Sequence, residues 1–452
     1  MGNPHFDLIV IGTGPSASTV AKKCRQEGKR VAIIEAREFG GTCALRGCNP
    51  KKVYSNAANL IDRIRGAEGK LVKCDDARID WKELVAFQRE FTQPVADSTE
   101  ASYRKQGIDT FHGRASFTGR NSIEVDGQSL DADRIFVGVG ARPSPLDIPG
   151  GKRAIRSDEF FELTEIPKRV VFIGGGYISM EFACVVARHG ASVTVLQRTD
   201  QVLPEFDPDL VDQLTEYSAE HGINIFTSTA VTEIDAASGG TMVVQYKSEG
   251  HMKSVETDLV VHGAGRIPNL DGLNLEAGEV TYSEMGIKVD AFMRSTSNPA
   301  VYAAGDCVDS SQPPLTPTAN EQARAVVNNL LATTPTHQPD YGVIPQVAFT
   351  VPAIASIGLS QLDAERSHDA EIRHDDSSTW GSVRKTGQRC AGYKVIIDRD
   401  SDLILGAHLL GPAAEETINL FALAMKHGLT SRDIKSTLFA FPTFASDVRR
   451  MV

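Results

Sequence analysis

No apolar run in this sequence approaches the roughly 18 residues that a membrane-spanning helix needs, so a transmembrane protein is not expected. Basic runs are missing too, and the formal net charge is -11. Both argue against nucleic acid or an anionic membrane as a partner. Cysteine is sparse and odd in number: seven residues do not suit a secreted disulfide framework. In a reducing compartment a close thiol pair is more readily catalytic than structural. The opening Met1-Gly2-Asn3-Pro4-His5-Phe6 runs straight into a strand without a signal-peptide pattern. Phe6 also stands where myristoylation wants Ser or Thr. These absences leave a cytoplasmic protein as the expectation, with no metal site assigned.

What is present is organised. At 452 residues, two to four domains are expected. Phe6–Ile11 reads as a buried strand ending in Gly12-Thr13-Gly14-Pro15-Ser16-Ala17, then a helix, then a strand that closes on Glu35. This is a dinucleotide fingerprint with Ala17 in the third glycine position. Gly12 and Gly14 permit the tight turn and let backbone N–H groups approach a pyrophosphate at a helix N-terminus. Glu35 stands where a carboxylate accepts hydrogen bonds from a ribose.

A second fingerprint follows the strand Arg169–Ile173, in Gly174-Gly175-Gly176-Tyr177-Ile178-Ser179. The next strand ends at Gln197-Arg198, without an acid at the ribose position. An amide removes repulsion toward a 2'-phosphate and Arg198 can pair with it, which favours NADPH over NADH. Later, Val301–Asp306 reads as a strand ending in Gly-Asp, and Pro314–Ala319 opens a helix running to about Leu331. Asp306 suits polyol hydroxyls. Between the two fingerprints, Cys43 and Cys48 stand with four residues between them in Gly40-Gly41-Thr42-Cys43-Ala44-Leu45-Arg46-Gly47-Cys48-Asn49-Pro50-Lys51-Lys52. A nucleotide signature beside a close thiol pair points to a flavin that passes electrons to a disulfide.

With these motifs assembled, the chain resembles the pyridine nucleotide–disulfide oxidoreductases, the family of glutathione reductase, dihydrolipoamide dehydrogenase and mercuric reductase. The resemblance runs nearly end to end. It implies an α/β fold of two Rossmann-like dinucleotide-binding domains, for FAD (1–145) and NADP (146–268). A central domain (269–339) would complete the FAD site, and an α+β interface domain (340–452) would build a homodimer with shared active sites. Cys48 would be the sulfur facing the flavin and Cys43 the interchange thiol. Lys51 would sit near the flavin, paired with Glu181. Tyr177 would be an aromatic gate over it, and Asp306 would hold its ribityl chain. Gly12, Gly14, Pro15, Ser16, Glu35, Gly41, Thr42, Gly140, Gly265, Arg266, Thr316 and Ala319 would complete cofactor contacts. On the second fingerprint, Gly174, Gly176, Ile178 and Arg198 would do the same. Cys24, Cys74, Cys184, Cys307 and Cys390 have no partner at a motif spacing and are read as packing residues.

The C-terminus departs from the family pattern. Where the family carries His-Pro-x-x-x-Glu, this chain has Phe441-Pro442-Thr443-Phe444-Ala445-Ser446. Phe441 and Ser446 cannot act as acid or base near neutral pH. Asp447 is turned by about 100 degrees from the Glu position on a helix, and His427 is read as closing a helix before Gly428. Ordinary glutathione or lipoamide turnover is therefore disfavoured. Mercuric reductase and large thioredoxin reductase lack support because no redox cysteine lies near Arg449-Arg450-Met451-Val452. The expected substrate is an atypical small-molecule disulfide, thioether or electrophile. Phe at the His position also resembles the 2-ketopropyl-coenzyme M oxidoreductase/carboxylase branch, which implies reductive C–S cleavage and carboxylation. That branch has His where this chain has Ser446, so the likeness is partial. A low-turnover, flavin-holding redox sensor is the reading from another class.

Overall fold

The computed structural model describes residues 3–452, so the reading of the Met1-Gly2 start lies outside the described residues. The chain divides into two compact units. The first gathers residues 1–50, 89–144 and 266–341, and the second gathers 51–88, 145–265 and 342–452.

The first unit is built on a seven-stranded sheet. Its parallel part runs in the order Asp109–His112, Val31–Glu35, His5–Ile11, Gln128–Val137, with Val301–Ala303 also parallel to the last of these. The register pairs Leu8 with Val31 and Ile11 with Ile34. Ser122–Val125 and Ala115–Gly119 extend the sheet antiparallel. Ile9, Val10, Ala32 and Ile33 are fully buried, as a strand covered on both faces requires. The helices Pro15–Gln26 and Thr316–Leu331 pack on each other beside this sheet.

The second unit holds a four-stranded parallel sheet in the order Ile223–Phe226, Ser192–Leu196, Arg169–Ile173, Leu259–His262. The helix Tyr177–His189 follows its third-listed strand directly. It is buried along most of its length, because its sequence from Phe182 to Ala187 is apolar on every side. A three-stranded antiparallel sheet (Thr229–Ala236, Met242–Ser248, His251–Thr257) is inserted before the last strand. The C-terminal part is a five-stranded antiparallel sheet with the helix Ala414–Lys426 against Ile404–Leu410 and Ile354–Gly358. Buried Ile418, Phe421 and Ala424 face that sheet at helical spacing. His427 caps this helix and Gly428 follows with φ 64°, the left-handed residue that ends it. Each fingerprint thus sits in a strand–turn–helix of its own parallel sheet.

Candidate active site

In the first unit, the turn after His5–Ile11 is closed by geometry that only glycine accepts. Gly12 has φ 98°, and a Cβ there would stand 2.4 Å from the Gly138 carbonyl oxygen. Gly14 is the N-cap of the Pro15–Gln26 helix, offers no side-chain cap, and has open space where a Cβ would be. The N–H groups of that first turn are therefore available to an anion. Ser16 is buried, and a Cβ on Gly305 would touch both its Oγ (3.4 Å) and the Ala319 Cβ (3.5 Å). The starts of the two long helices thus converge on glycine-lined space. Glu35 accepts from Thr13 Oγ1 at 2.5 Å and from the Arg37 N–H at 3.0 Å.

Around the same space, Gly140 takes φ 66° before Ala141–Pro143, which pairs with Arg266–Pro268. Arg266 donates to the Ala141 carbonyl. Burial pushes the half-buried Asp306 carboxyl up, and the Arg266 charge opposes it. A glycine cradle, two open helix starts and half-buried acids at two strand ends fit a dinucleotide with a polyol chain.

The thiols lie beside this cradle, in the same unit. Gly41, with φ 71°, begins the short helix Gly41–Leu45, and a Cβ on it would meet Gly14 Cα at 2.5 Å. Cys43 is therefore carried on a backbone pressed against the fingerprint turn. Gly47 closes the loop to the next helix, Cys48–Ala67, because any Cβ there would meet the Thr42 carbonyl oxygen at 2.8 Å. Cys43 is half-buried, and Cys48 and Thr42 are exposed. The Thr316 hydroxyl donates to Cys43 Sγ at 3.4 Å and lies 3.8 Å from Cys48 Sγ. The Cys43 thiol is pushed well above the ordinary range by its hydrogen bond to Cys48 and by burial, while Thr316 pulls the other way.

In the second unit, Lys51 and Lys52, from the first turn of the Cys48–Ala67 helix, share one buried carboxylate. Glu181 Oε2 lies 3.3 Å from Lys51 Nζ and 3.0 Å from Lys52 Nζ. Its other oxygen accepts the Phe349 N–H at 3.0 Å. Burial alone would raise the Glu181 carboxyl, but the two ammonium groups hold it below its usual value. Lys51 Nζ also stands 4.4 Å from the centre of the Tyr177 ring, which is 38% exposed.

The second fingerprint repeats the first. Gly174, at φ 93°, would collide with Ala264 if it bore a Cβ, and Gly176 caps the Tyr177–His189 helix with open space above it. Ile178 is half-buried in the first turn, and Ser179 is fully buried against Gly263. Gln197 Oε1 accepts from the Gly175 N–H at 2.7 Å, and its amide donates to Thr199 Oγ1 at 2.5 Å. Arg198 is exposed beside it, and Gly265 takes φ 100° further on.

The sequence model described as "Pyridine nucleotide-disulphide oxidoreductase" matches residues 6–323, and that family's dimerisation domain matches 344–452. The chain belongs to this family. Among its relatives, the glutathione reductase of Burkholderia cepacia is 32% identical over 446 residues, covering 98% of this chain and 97% of the relative. That of Nostoc sp. is 30% identical over 460 residues, with 98% of each chain covered. That of Yarrowia lipolytica is 29% identical over 468 residues, with 99% of each covered. The protein is a pyridine nucleotide–disulfide oxidoreductase flavoenzyme with a Rossmann-like α/β fold and a C-terminal dimerisation domain.

In this oxidoreductase Phe441 is 86% exposed. Ser446 is tied into the start of the Phe444–Met451 helix: its Oγ donates to the Thr443 carbonyl at 2.6 Å and accepts from the Thr443 N–H at 3.2 Å. Cys24, Cys184, Cys307 and Cys390 are buried, as packing residues are. Cys74 is not; it is half-buried on a loop. Sequence reasoning missed Lys52 as a partner of Glu181, the Phe349 N–H, and the link from Thr316 to both sulfurs. The doubled lysine was a signal for the first; the others carried none. Among the described residues, no helix is long and apolar enough to cross a membrane, and no group of acids, histidines and cysteines is disposed to hold a metal ion.

Proposed function

We propose that this enzyme uses NADPH and bound FAD to reduce the Cys43–Cys48 pair and delivers the electrons to a small substrate whose leaving group needs no histidine acid. FAD, when bound, supplies the two-electron link between nicotinamide and disulfide. The net change is one hydride and one proton added to a disulfide, giving two thiols. The Thr316 hydroxyl lying within reach of both sulfurs carries this reading, because it marks a thiol pair held for exchange rather than packing. Lys51, three residues past Cys48 in the same helix, is buried and paired with Glu181, which supports its reading as the lysine near the flavin. The first fingerprint and Asp306 hold FAD. Arg198, beside an amide instead of an acid, favours the 2'-phosphate of NADPH. The segments 1–145, 146–268, 269–339 and 340–452 serve FAD, NADP, the completion of the FAD site, and a homodimer that shares its active sites.

Two observations support an atypical substrate. Phe441 is apolar at the position where the family's acid is expected, and the Ser446 hydroxyl is committed to a helix cap. A small disulfide with an acidic thiol leaving group suits this site. A thioether cleaved to a carbanion suits it too, since Phe441 brings no proton to quench that carbanion.

Anaerobic protein titrated with NADPH should develop a long-wavelength thiolate-to-flavin band, with poor turnover of oxidised glutathione and better turnover of an aryl disulfide. Brisk glutathione turnover would overturn the atypical-substrate reading. A band absent under NADPH, or unaltered in Cys48→Ser, would overturn the dithiol relay itself. Reduction without turnover of any disulfide or thioether would leave a redox sensor.

A further inference from the structure

The thiol read as attacking substrate sits in surroundings that disfavour its ionised form. Cys43 is half-buried and hydrogen-bonded toward Cys48, and both push its thiol pKa up. In a site with an imidazole, the thiol proton would leave to the base. Phe441 and the capped Ser446 offer no such group. Among the described residues the one hydroxyl bonded to the Cys43 sulfur is Thr316, which donates to it at 3.4 Å.

The position of Thr316 is fixed independently of the thiols. It begins the Thr316–Leu331 helix, and the buried Thr318, Ala319 and Gln322 anchor that first turn. Gln322 Oε1 in turn accepts the Gly305 N–H at 2.7 Å, tying the helix to the Val301–Ala303 strand end. With its backbone anchored, the hydroxyl moves only by turning about χ1, where Thr has two favoured rotamers in a helix. It stands 3.4 Å from one sulfur and 3.8 Å from the other, a spacing from which a small χ1 adjustment serves either. A thiolate is a better acceptor than a thiol, so the bond strengthens on whichever sulfur carries the charge.

We infer that Thr316 is the positioning residue of the thiol pair: its hydroxyl donates to Cys43 and supports the Cys43 thiolate in place of the missing histidine. No bond to Thr316 forms or breaks; the Cys43 proton passes to solvent or substrate. The inference rests on the reading of Cys43 as interchange thiol.

The test uses the NADPH-reduced holoenzyme and iodoacetamide, with the alkylated cysteine located by mass spectrometry. Thr316→Val, which keeps the shape and removes the donor, should slow Cys43 alkylation about tenfold at pH 7. Thr316→Ser should recover most of the rate, which a purely packing role would not predict. If the Val variant loses its flavin, Thr316→Ala supplies the same comparison without β-branching. Wild-type alkylation in a hydroxyl-free variant, or a Ser variant as slow as Val, overturns the inference. Full disulfide turnover by Cys43→Ser would instead overturn the interchange reading on which it rests, whatever the Thr316 variants do.

Discussion

Single residues set the chemistry of this enzyme through charge and its absence. Glu181 is buried with Lys51, and replacing it by Gln strands an ammonium in the interior, which should destabilise the fold by about 3 kcal/mol. Its pH dependence has a definite sign. The carboxyl is depressed below its ordinary 4.5, so the pair's stabilisation is complete above that value and lost as pH falls through the folded one. Urea midpoints between pH 3 and 6 should therefore fall more steeply for wild type than for Glu181→Gln; parallel curves would deny the pair that role. Phe441 poses the opposite case. Phe441→His should raise turnover of a simple disulfide by at least about tenfold, since a positioned acid contributes that much or more. A variant at or below wild-type rate would show that Phe441 does not withhold protons here. The Lys51–Glu181 pairing was readable only through resemblance, because 130 positions of sequence separate the partners. Lys52, its neighbour, is visible in sequence only as half of a doubled lysine, which does not say that both turn to one carboxylate.

At the scale of elements, the two fingerprints were legible because strand, glycine turn and helix are local. The strand before each turn and the acid or amide after the next strand fall where periodicity puts them. The thiol helix was legible as a motif but not as a packing problem. Gly41 is needed because a Cβ there would stand 2.5 Å from Gly14 Cα, a close approach across 27 positions that no local pattern announces. Gly41→Ala should push the Gly41–Leu45 helix off the turn, costing flavin retention and about 2 kcal/mol or more. Gly28→Ala is the control. Its φ of 82° is just as unfavourable, yet nothing lies within 4 Å of the added carbon, so only about 1 kcal/mol of backbone strain is expected. Flavin absorbance relative to protein absorbance separates the two. Equal losses in both variants would mean strain, not the close approach, governs the site. Gln197 shows the limit of the same local reading. The sequence shows an amide that does not repel a 2'-phosphate, and the structure ties that amide to the Gly175 N–H and Thr199, so it also braces the turn.

For the whole molecule, the dimerisation domain makes association the central question. The described C-terminal segment leaves Leu438 91% and Phe441 86% exposed, three residues apart, after the helix Ser431–Ser436, whose one apolar residue, Ile434, is covered. Two large apolar side chains so close together and so fully in water are costly unless another surface covers them. Residues 344–452 match the family's dimerisation domain, so a second copy of the chain is the natural cover. Sequence alone indicated an interface domain, but not which side chains it leaves bare, because exposure follows from the tertiary path of residues 437–443. Sedimentation should give about twice the 48.8 kDa chain mass. Leu438→Asp should shift it toward the single-chain value, and the two consequences should then separate. If active sites are shared, the dissociated chain still accepts hydride from NADPH, because both fingerprints lie within one chain, but turnover of disulfide falls with the dimer fraction. A single chain that retained full disulfide turnover would place every required residue within one subunit, and Phe441 would then have to act on its own thiols or not at all.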